Sequence, residues 1–229
     1  MPKPKTTPPA ADWLDGLPSF DADGLSTLGA PDLMQAYSQS AGLDDDRTHR
    51  SRPARIDGRR QLQLARAAEA IDNLPQPGEC LHLVVKGNVD FYGYLDAIIS
   101  KHRPATVERL SVSTLSFSKP NAAALLDLLD DGTVQRLDLV CSCYFKAQDE
   151  DIFAVMANGL AERPGKGRIL AARTHAKVIC LPIAGQSYTL VGSANLRACR
   201  NIECTVLSND AGLLEFHRQW IDDLLDHER

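Results

Sequence analysis

Four polar residues in one short segment have the types and spacing needed to hold and cleave a phosphate ester. His175 and Lys177 lie two residues apart, and Ser193 and Asn195 lie two residues apart further along the same segment. A lysine ammonium gives a positive charge to a phosphoryl oxygen, while serine and asparagine side chains donate hydrogen bonds. A histidine can attack phosphorus or protonate the leaving oxygen. The chemistry that this set predicts is phosphodiester cleavage.

A β-hairpin would bring the two pairs of residues together. Side chains two apart on a strand point to the same face, so the members of each pair would project together. The sequence IAG (183–185) predicts a three-residue hairpin loop in which Gly185 takes the left-handed conformation. This register places His175 directly opposite Ser193. A loop of four residues would instead put these two side chains on opposite faces.

Other residues near these pairs fit the same chemistry. Gly192 would let a substrate approach the backbone closely. Glu203 is a candidate carboxylate for orienting a nucleophilic His175. Two arginines are candidates for substrate binding: Arg173, which shares the face of His175 if the strand is regular, and Arg197.

Three short motifs, HAK (175–177), GSAN (192–195) and RNIE (200–203), together resemble the phospholipase D superfamily. Its signature is H-x-K, four residues, Asp, and then G-S-x-N. The order of predicted elements from 80 to 227 also resembles that fold. The resemblance implies a covalent phosphohistidine and no metal or other cofactor. The roles that it implies are nucleophile for His175, phosphate ligands for Lys177, Ser193 and Asn195, and support of the nucleophile for Glu203.

The chain departs from the family signature at one position and in copy number. The family Asp should follow Lys177 by five residues, but this position is Pro182, and no Asp occurs between Lys177 and Asn195. Double displacement needs one histidine to attack and another to protonate the leaving group, yet the chain has a single H-x-K. Single-copy members of the family pair two chains, so the resemblance implies a C2 homodimer.

These features predict a metal-independent phosphodiesterase, in particular a nuclease, with a site shared between two chains. The nuclease hypothesis depends on the small size, the single motif and the arginines near the site. Two alternatives stay open: a catalytically impaired module that dimerises and binds phosphate or DNA, and a phospholipid phosphodiesterase. The missing Asp favours the first alternative, and the lack of an amphipathic basic helix speaks against the second.

Alternating strands and helices predict an α/β fold, specifically a phospholipase D-like mixed β-sheet flanked by helices. The first six elements have the order βαβαβα, which indicates a mainly parallel sheet. The predicted strands are 81–85, 107–117, 134–145, 167–181, 188–195 and 203–208. The predicted helices are 90–102, 119–131, 149–163 and 210–227. In the last helix, the apolar stripe expected to face the core consists of Leu213, Phe216, Trp220 and Leu224.

Residues 1–75 are predicted to be a largely flexible N-terminal tail, and residues 76–229 the phospholipase D-like domain. The first part of the tail is rich in Pro, Gly, Ser and Asp, while 32–37 and 58–72 have helical character. The tail contains a basic cluster that is either a solvated linker or a contact for a nucleic-acid backbone. The arginines of this cluster are Arg47, Arg50, Arg52, Arg55, Arg59 and Arg60.

The composition allows a real core but no broad anion-binding surface. Of the 229 residues, 44% are hydrophobic, and the formal net charge is −5, so nucleic acid would have to bind a local patch. No apolar run approaches the roughly 18 residues of a membrane span, and no secretory signal is recognisable. A cytoplasmic protein is expected.

The six cysteines are expected to be mostly buried free thiols. Cys141 and Cys143 would share one face of a strand, but no second Cys or His pair lies at a familiar spacing. No metal site is therefore expected.

Overall fold

A computed structural model describes residues 54–86 and 89–227 of the chain. The first 53 residues of the tail predicted to be flexible, with its short helix at 32–37 and the arginines up to Arg52, lie outside the described residues. The seven strands are β1 (Cys80–Lys86), β2 (Leu110–Thr114), β3 (Leu137–Ser142), β4 (Gly167–Ala172), β5 (Val178–Ile183), β6 (Gln186–Gly192) and β7 (Ile202–Asn209). The helices are α1 (Ala54–Ala70), α2 (Phe91–His102), α3 (Lys119–Asp130), α4 (Cys143–Gln148), α5 (Glu150–Ala161) and α6 (Ala211–His227).

The described strands form one mixed sheet with the order β1-β7-β6-β5-β2-β3-β4. Only the pairs β2–β3 and β3–β4 are parallel, while the other four pairs are antiparallel. The predicted class, an α/β mixed sheet flanked by helices, is confirmed. The expectation of a mainly parallel sheet is wrong, because β1 pairs with β7 at the edge and the antiparallel strands β5 to β7 separate it from β2.

Helices α1 to α5 contribute to the main core on one face of the sheet, and α6 packs against the opposite face. The alternation along β5 shows this division: Ile179 and Leu181 belong to the main core, while Val178 and Cys180 pack near Leu214 of α6. The central strands are therefore covered on both sides.

The buried stripe of α6 differs from the predicted one. Leu214, Ile221 and Leu225 are buried, whereas Phe216 is 62% exposed. Steps of three and four residues define several adjacent stripes on one helix, and the sequence pattern alone does not decide which of them faces the sheet. Trp220, at the border of the two stripes, is partly buried.

The predicted strand 134–145 ends earlier because a helix cap interrupts it. The Ser142 side chain accepts a hydrogen bond from the backbone N–H of Tyr144 at 3.1 Å, which starts α4. Cys141 is consequently buried in β3 and Cys143 is exposed on α4, so the two thiols do not share a strand face.

All six cysteines are free, but only Cys141 and Cys180 are buried, so the expectation that most of them are buried is wrong. Among the described residues, no group of three His, Cys, Asp or Glu side chains could hold a metal ion. Within residues 54–86 and 89–227, no helix has both the length and the apolarity needed to cross a membrane.

Helix α1 belongs to the same compact unit as the sheet. The chain divides into the units Met1–Arg52 and Pro53–Arg229, and Ala67 of α1 is fully buried in the core. This grouping places α1 with the sheet rather than with the tail expected over 1–75. Arg60, from the basic cluster, is engaged within the fold: its guanidinium donates to Asn121 Oδ1 at 3.0 Å.

A buried carboxylate ties α6 to the sheet. Asp138 on β3 has no exposed surface, and its oxygens accept hydrogen bonds from Arg109 Nε at 2.6 Å and Arg168 Nε at 3.0 Å. Both arginines also bind Asp222 on α6. Burial alone would raise the pKa of Asp138, but the hydrogen bond from Arg168 and the arginine charges hold this pKa below its usual value.

We expect Asp138→Asn to lower the free energy of unfolding at neutral pH by about 3 kcal/mol, because it leaves partly buried arginines without their counter-charge. Since the pKa of Asp138 is lowered in the fold, its contribution is present above the unfolded pKa and is lost as the pH falls through the folded one. Urea unfolding at several pH values measures both effects. Asp223→Asn, at an exposed position on α6, is the control. Equal stability of wild type and Asp138→Asn at pH 7 would contradict the stabilising role of the Asp138 carboxylate.

Candidate active site

The segment that carries His175 and Lys177 is a connection between two strands and not a strand itself. The predicted strand 167–181 consists of β4, at the edge of the sheet, and β5, near its centre. Because β3 and β2 lie between them, residues 173–177 must cross the end of the sheet. The expectation that Arg173 shares a strand face with His175 is therefore wrong, and Arg173 is exposed in this connection.

The hairpin between β5 and β6 has a two-residue turn. Ala184 and Gly185 both have positive φ, 51° and 75°, which is typical of the tight turn that joins antiparallel strands. The predicted three-residue loop is wrong, and the register differs by one residue from the expected one. Lys177, rather than His175, aligns with the GSAN motif: its carbonyl accepts from Gly192 N at 3.3 Å.

The end of β2 lies between the two motifs and contacts both. The hydroxyl of Ser113 donates to the Ala176 carbonyl at 3.1 Å, and the backbone N–H of Leu115 donates to Asn195 Oδ1 at 3.2 Å. The backbone of Asn195 is also fixed, since its carbonyl accepts from Phe91 N at 3.0 Å. The carboxamide oxygen is thus used within the fold, and the NH₂ group is the part of Asn195 that can donate to a ligand.

Lys177 and His175 form the polar centre of this edge. Lys177 is only 7% exposed, and its Nζ lies 2.9 Å from His175 Nδ1 and donates to the His175 carbonyl at 2.9 Å. An ammonium has no acceptor, so Nδ1 accepts and a neutral His175 carries its proton on Nε2. Burial lowers the pKa of Lys177, and the charge of Glu203 acts in the opposite direction.

Glu203 holds a serine and a cysteine rather than His175. The Ser193 hydroxyl donates to one oxygen of this carboxylate, and the Cys199 thiol lies 2.8 Å from the other. Ser193 Oγ also accepts from the backbone N–H of Cys204 at 3.0 Å. The sequence indicated the proximity of Glu203 to the motif but not these partners, and no spacing signal in the chain singles out Cys199.

Gly192 is required by the neighbouring strand. A Cβ atom at this position would collide with the Cys204 carbonyl oxygen and lie 2.9 Å from Thr205 Cα, both in the backbone of β7. The sequence predicted that Gly192 lets a substrate approach the backbone, but in the structure the group that closely approaches Gly192 is the backbone of β7. Arg197 also has a contact within the fold, because its guanidinium pairs with Asp149 at 2.7 Å.

Pro182, at the position of the expected Asp, lies far from the candidate site. It is on β5 opposite Ser187, next to the hairpin turn. Five residues of extended strand separate it from Lys177, which corresponds to roughly 16 Å. A carboxylate at position 182 could not contact a phosphate held by Lys177, so its absence leaves the groups at the site itself unchanged.

No protein-family model and no curated protein matches the chain. Solved structures similar to it include the three that follow. A phospholipase D family member, Nuc from Salmonella typhimurium, is similar over 65% of this chain and 95% of its own, with 16% identity and a TM-score of 0.46. Polyphosphate kinase from Porphyromonas gingivalis matches 64% of this chain and 24% of its own, with 13% identity and a TM-score of 0.46.

Phosphatidylserine synthase from Haemophilus influenzae Rd KW20 is similar over 84% of this chain and 51% of its own, with 16% identity and a TM-score of 0.42. Similarities of this size concern the arrangement of strands and helices. They identify neither a substrate nor a reaction, so the chemistry has to be inferred from the residues at the sheet edge.

We expect Gly192→Ala to lower the free energy of unfolding by about 2 kcal/mol, because the added methyl group meets backbone atoms that cannot rotate away. Thermal and urea unfolding measure this effect. Gly212→Ala is the matched control, since its nearest neighbour is the Asp210 side chain at 3.2 Å. Unchanged stability of Gly192→Ala with weakened phosphate binding would instead support a role in substrate approach.

Proposed function

We propose that the protein is a metal-independent phosphodiesterase that cleaves nucleic acid through a phosphohistidine intermediate. The observation that carries this proposal is the buried Lys177 ammonium beside the exposed imidazole of His175. A buried ammonium is costly unless an anion compensates it. Its nearest side-chain neighbour is an imidazole, and the Glu203 charge does not cancel the lowering of its pKa by burial, so a substrate phosphate is an anion that fits.

The four motif residues would divide the reaction between them. Lys177, the Ser193 hydroxyl and the Asn195 NH₂ group hold the phosphoryl oxygens. When Lys177 turns from Nδ1 to a phosphoryl oxygen, the ring proton of His175 can move to Nδ1 by exchange with water. Nε2 then has the lone pair that attack requires.

In the first step, Nε2 forms a bond to phosphorus, and the bond from phosphorus to the leaving oxygen breaks. The leaving oxygen takes a proton from a general acid. In the second step, water attacks phosphorus and gives its proton to the same group, now a base. The N–P bond breaks, and free His175 and a phosphomonoester are released.

The general acid in this scheme is His175 of a second copy of the chain. The other described histidines lie on β1, at the end of α2 and along α6: His82, His102, His217 and His227. None of these elements carries a lysine two residues after the histidine. A C2 dimer would place two copies of the motif about one axis and supply the missing partner.

We expect the purified protein to cleave DNA or RNA in the presence of EDTA, and His175→Ala to reduce the rate roughly a thousandfold or more. Single-stranded DNA, duplex DNA, RNA and a chromogenic diester serve as substrates. His227→Ala, at the exposed end of α6, is the control variant.

Loss of wild-type cleavage in EDTA would exclude the metal-independent mechanism. Salt-dependent DNA binding without any cleavage would instead identify a binding module, and cleavage of phospholipid vesicles alone would identify a lipid enzyme.

Mixing wild type with His175→Ala tests the shared site. If each site needs two copies of His175, activity should fall with the square of the wild-type fraction, to about one quarter in an equal mixture after subunit exchange. Activity that falls in proportion to the wild-type fraction would show that each chain acts alone. Mixing wild type with His227→Ala at the same total protein concentration should leave the activity unchanged. Light scattering gives the oligomeric state directly.

A further inference from the structure

Tyr144 is a large aromatic side chain that the fold leaves in solvent. It is the second residue of α4 and is 68% exposed, while the adjacent Phe145 is buried. The ring of Phe145 packs edge-on against Phe117, with centroids 4.6 Å apart. This contact fixes α4, so Tyr144 is held outward on a rigid base and needs little further ordering to bind a partner.

Helix α4 borders the candidate site at both of its ends. It follows β3 directly, and the last residue of β3, Ser142, is opposite Ala172, three residues before His175. Just beyond the other end of α4, Asp149 pairs with Arg197, two residues after Asn195. One end of α4 therefore lies next to the segment with His175, and the other end lies next to the segment with Asn195. Tyr144 lies on the same edge of the sheet.

The charged groups around α4 mostly have partners within the fold, and the Lys146 ammonium of α4 itself lies 5.0 Å from the centre of the Phe153 ring. Asp149 pairs with Arg197, and Asp151 of α5 pairs with Lys119 at 2.6 Å. With a net charge of −5 over the chain, affinity for a polyanion cannot depend on general attraction. A contact that is independent of charge is needed beside the phosphate site, and an exposed aromatic ring can supply one.

We propose that Tyr144 stacks on a base of a single-stranded nucleic acid whose phosphate is held by Lys177, Ser193 and Asn195. The inference rests on the proposed function and adds a substrate class to it. Every base has a face that can stack on an aromatic ring, so this contact favours unpaired strands without selecting a sequence. The bases of a duplex are already stacked on each other and do not present this face.

The test measures binding of labelled oligonucleotides to the full chain carrying His175→Ala, which prevents turnover. Each strand is compared with a strand of equal length that has abasic sites, and with a duplex. We expect Tyr144→Ala to weaken binding of the normal single strand about tenfold and Tyr144→Phe to restore it. Binding of the abasic strand and of the duplex should not change. Phe216→Ala, which removes another exposed ring on α6, is the matched control.

Equal loss of affinity for normal and abasic strands would overturn the proposal, because the side chain would then act through structure and not through a base. Unchanged binding of every oligonucleotide to Tyr144→Ala would overturn it as well. The outcome is separable from that of the proposed function. Base-dependent binding through Tyr144 can hold in a protein that cleaves nothing, and cleavage can hold in a protein that does not use Tyr144.

Discussion

The position of β5 between β6 and β2 is the constraint on which the candidate site depends. The chain leaves β4 at the edge of the sheet and has to cross the ends of β3 and β2 before it can pair as β5. This crossing lifts His175 out of any strand and exposes its ring, while Lys177, at the entrance to β5, is buried. One short connection thus presents an exposed imidazole beside a buried ammonium, and a regular strand would have given both residues similar surroundings.

Asp138 and Lys177, two buried charged groups among the described residues, differ in how far neighbouring charges compensate them. Asp138 is buried among arginines that also bind α6, so its charge is neutralised within the fold and contributes to stability. Lys177 is buried beside an imidazole and a carbonyl, and the Glu203 charge only partly offsets the lowering of its pKa by that burial. The Lys177 ammonium can therefore still gain from a further anion, whereas the Asp138 carboxylate already has its counter-charges within the fold.

Local signals in the sequence were sufficient for most elements but not for their order in the sheet. Asp90 and Ser118 cap the helices that follow them, and the predicted starts of these helices, at 90 and 119, lie within one residue of the observed ones. The run from 167 to 181 contains no proline or glycine after its first residue, so nothing local marks the break between β4 and β5. The one-residue error at the hairpin followed from Ala184, which takes a positive φ that alanine rarely adopts. The motif residues were found by type and spacing, but the partners of Glu203 depend on the tertiary register of β6 and β7.

The pairing of β1 with β7 also limits how early the full sheet can form during folding. Residues of β1, among the first elements of the domain, align with residues of β7, just before the final helix. Such non-local pairing is slow to form because a long loop must close before any contact is gained. Until β7 has formed and paired, the Ser193 hydroxyl lacks the Glu203 carboxylate and the Cys204 N–H that hold it. The polar groups around Ser193 therefore come together only after β7 has paired with β6, and local folding of the β5–β6 hairpin is not enough to assemble them.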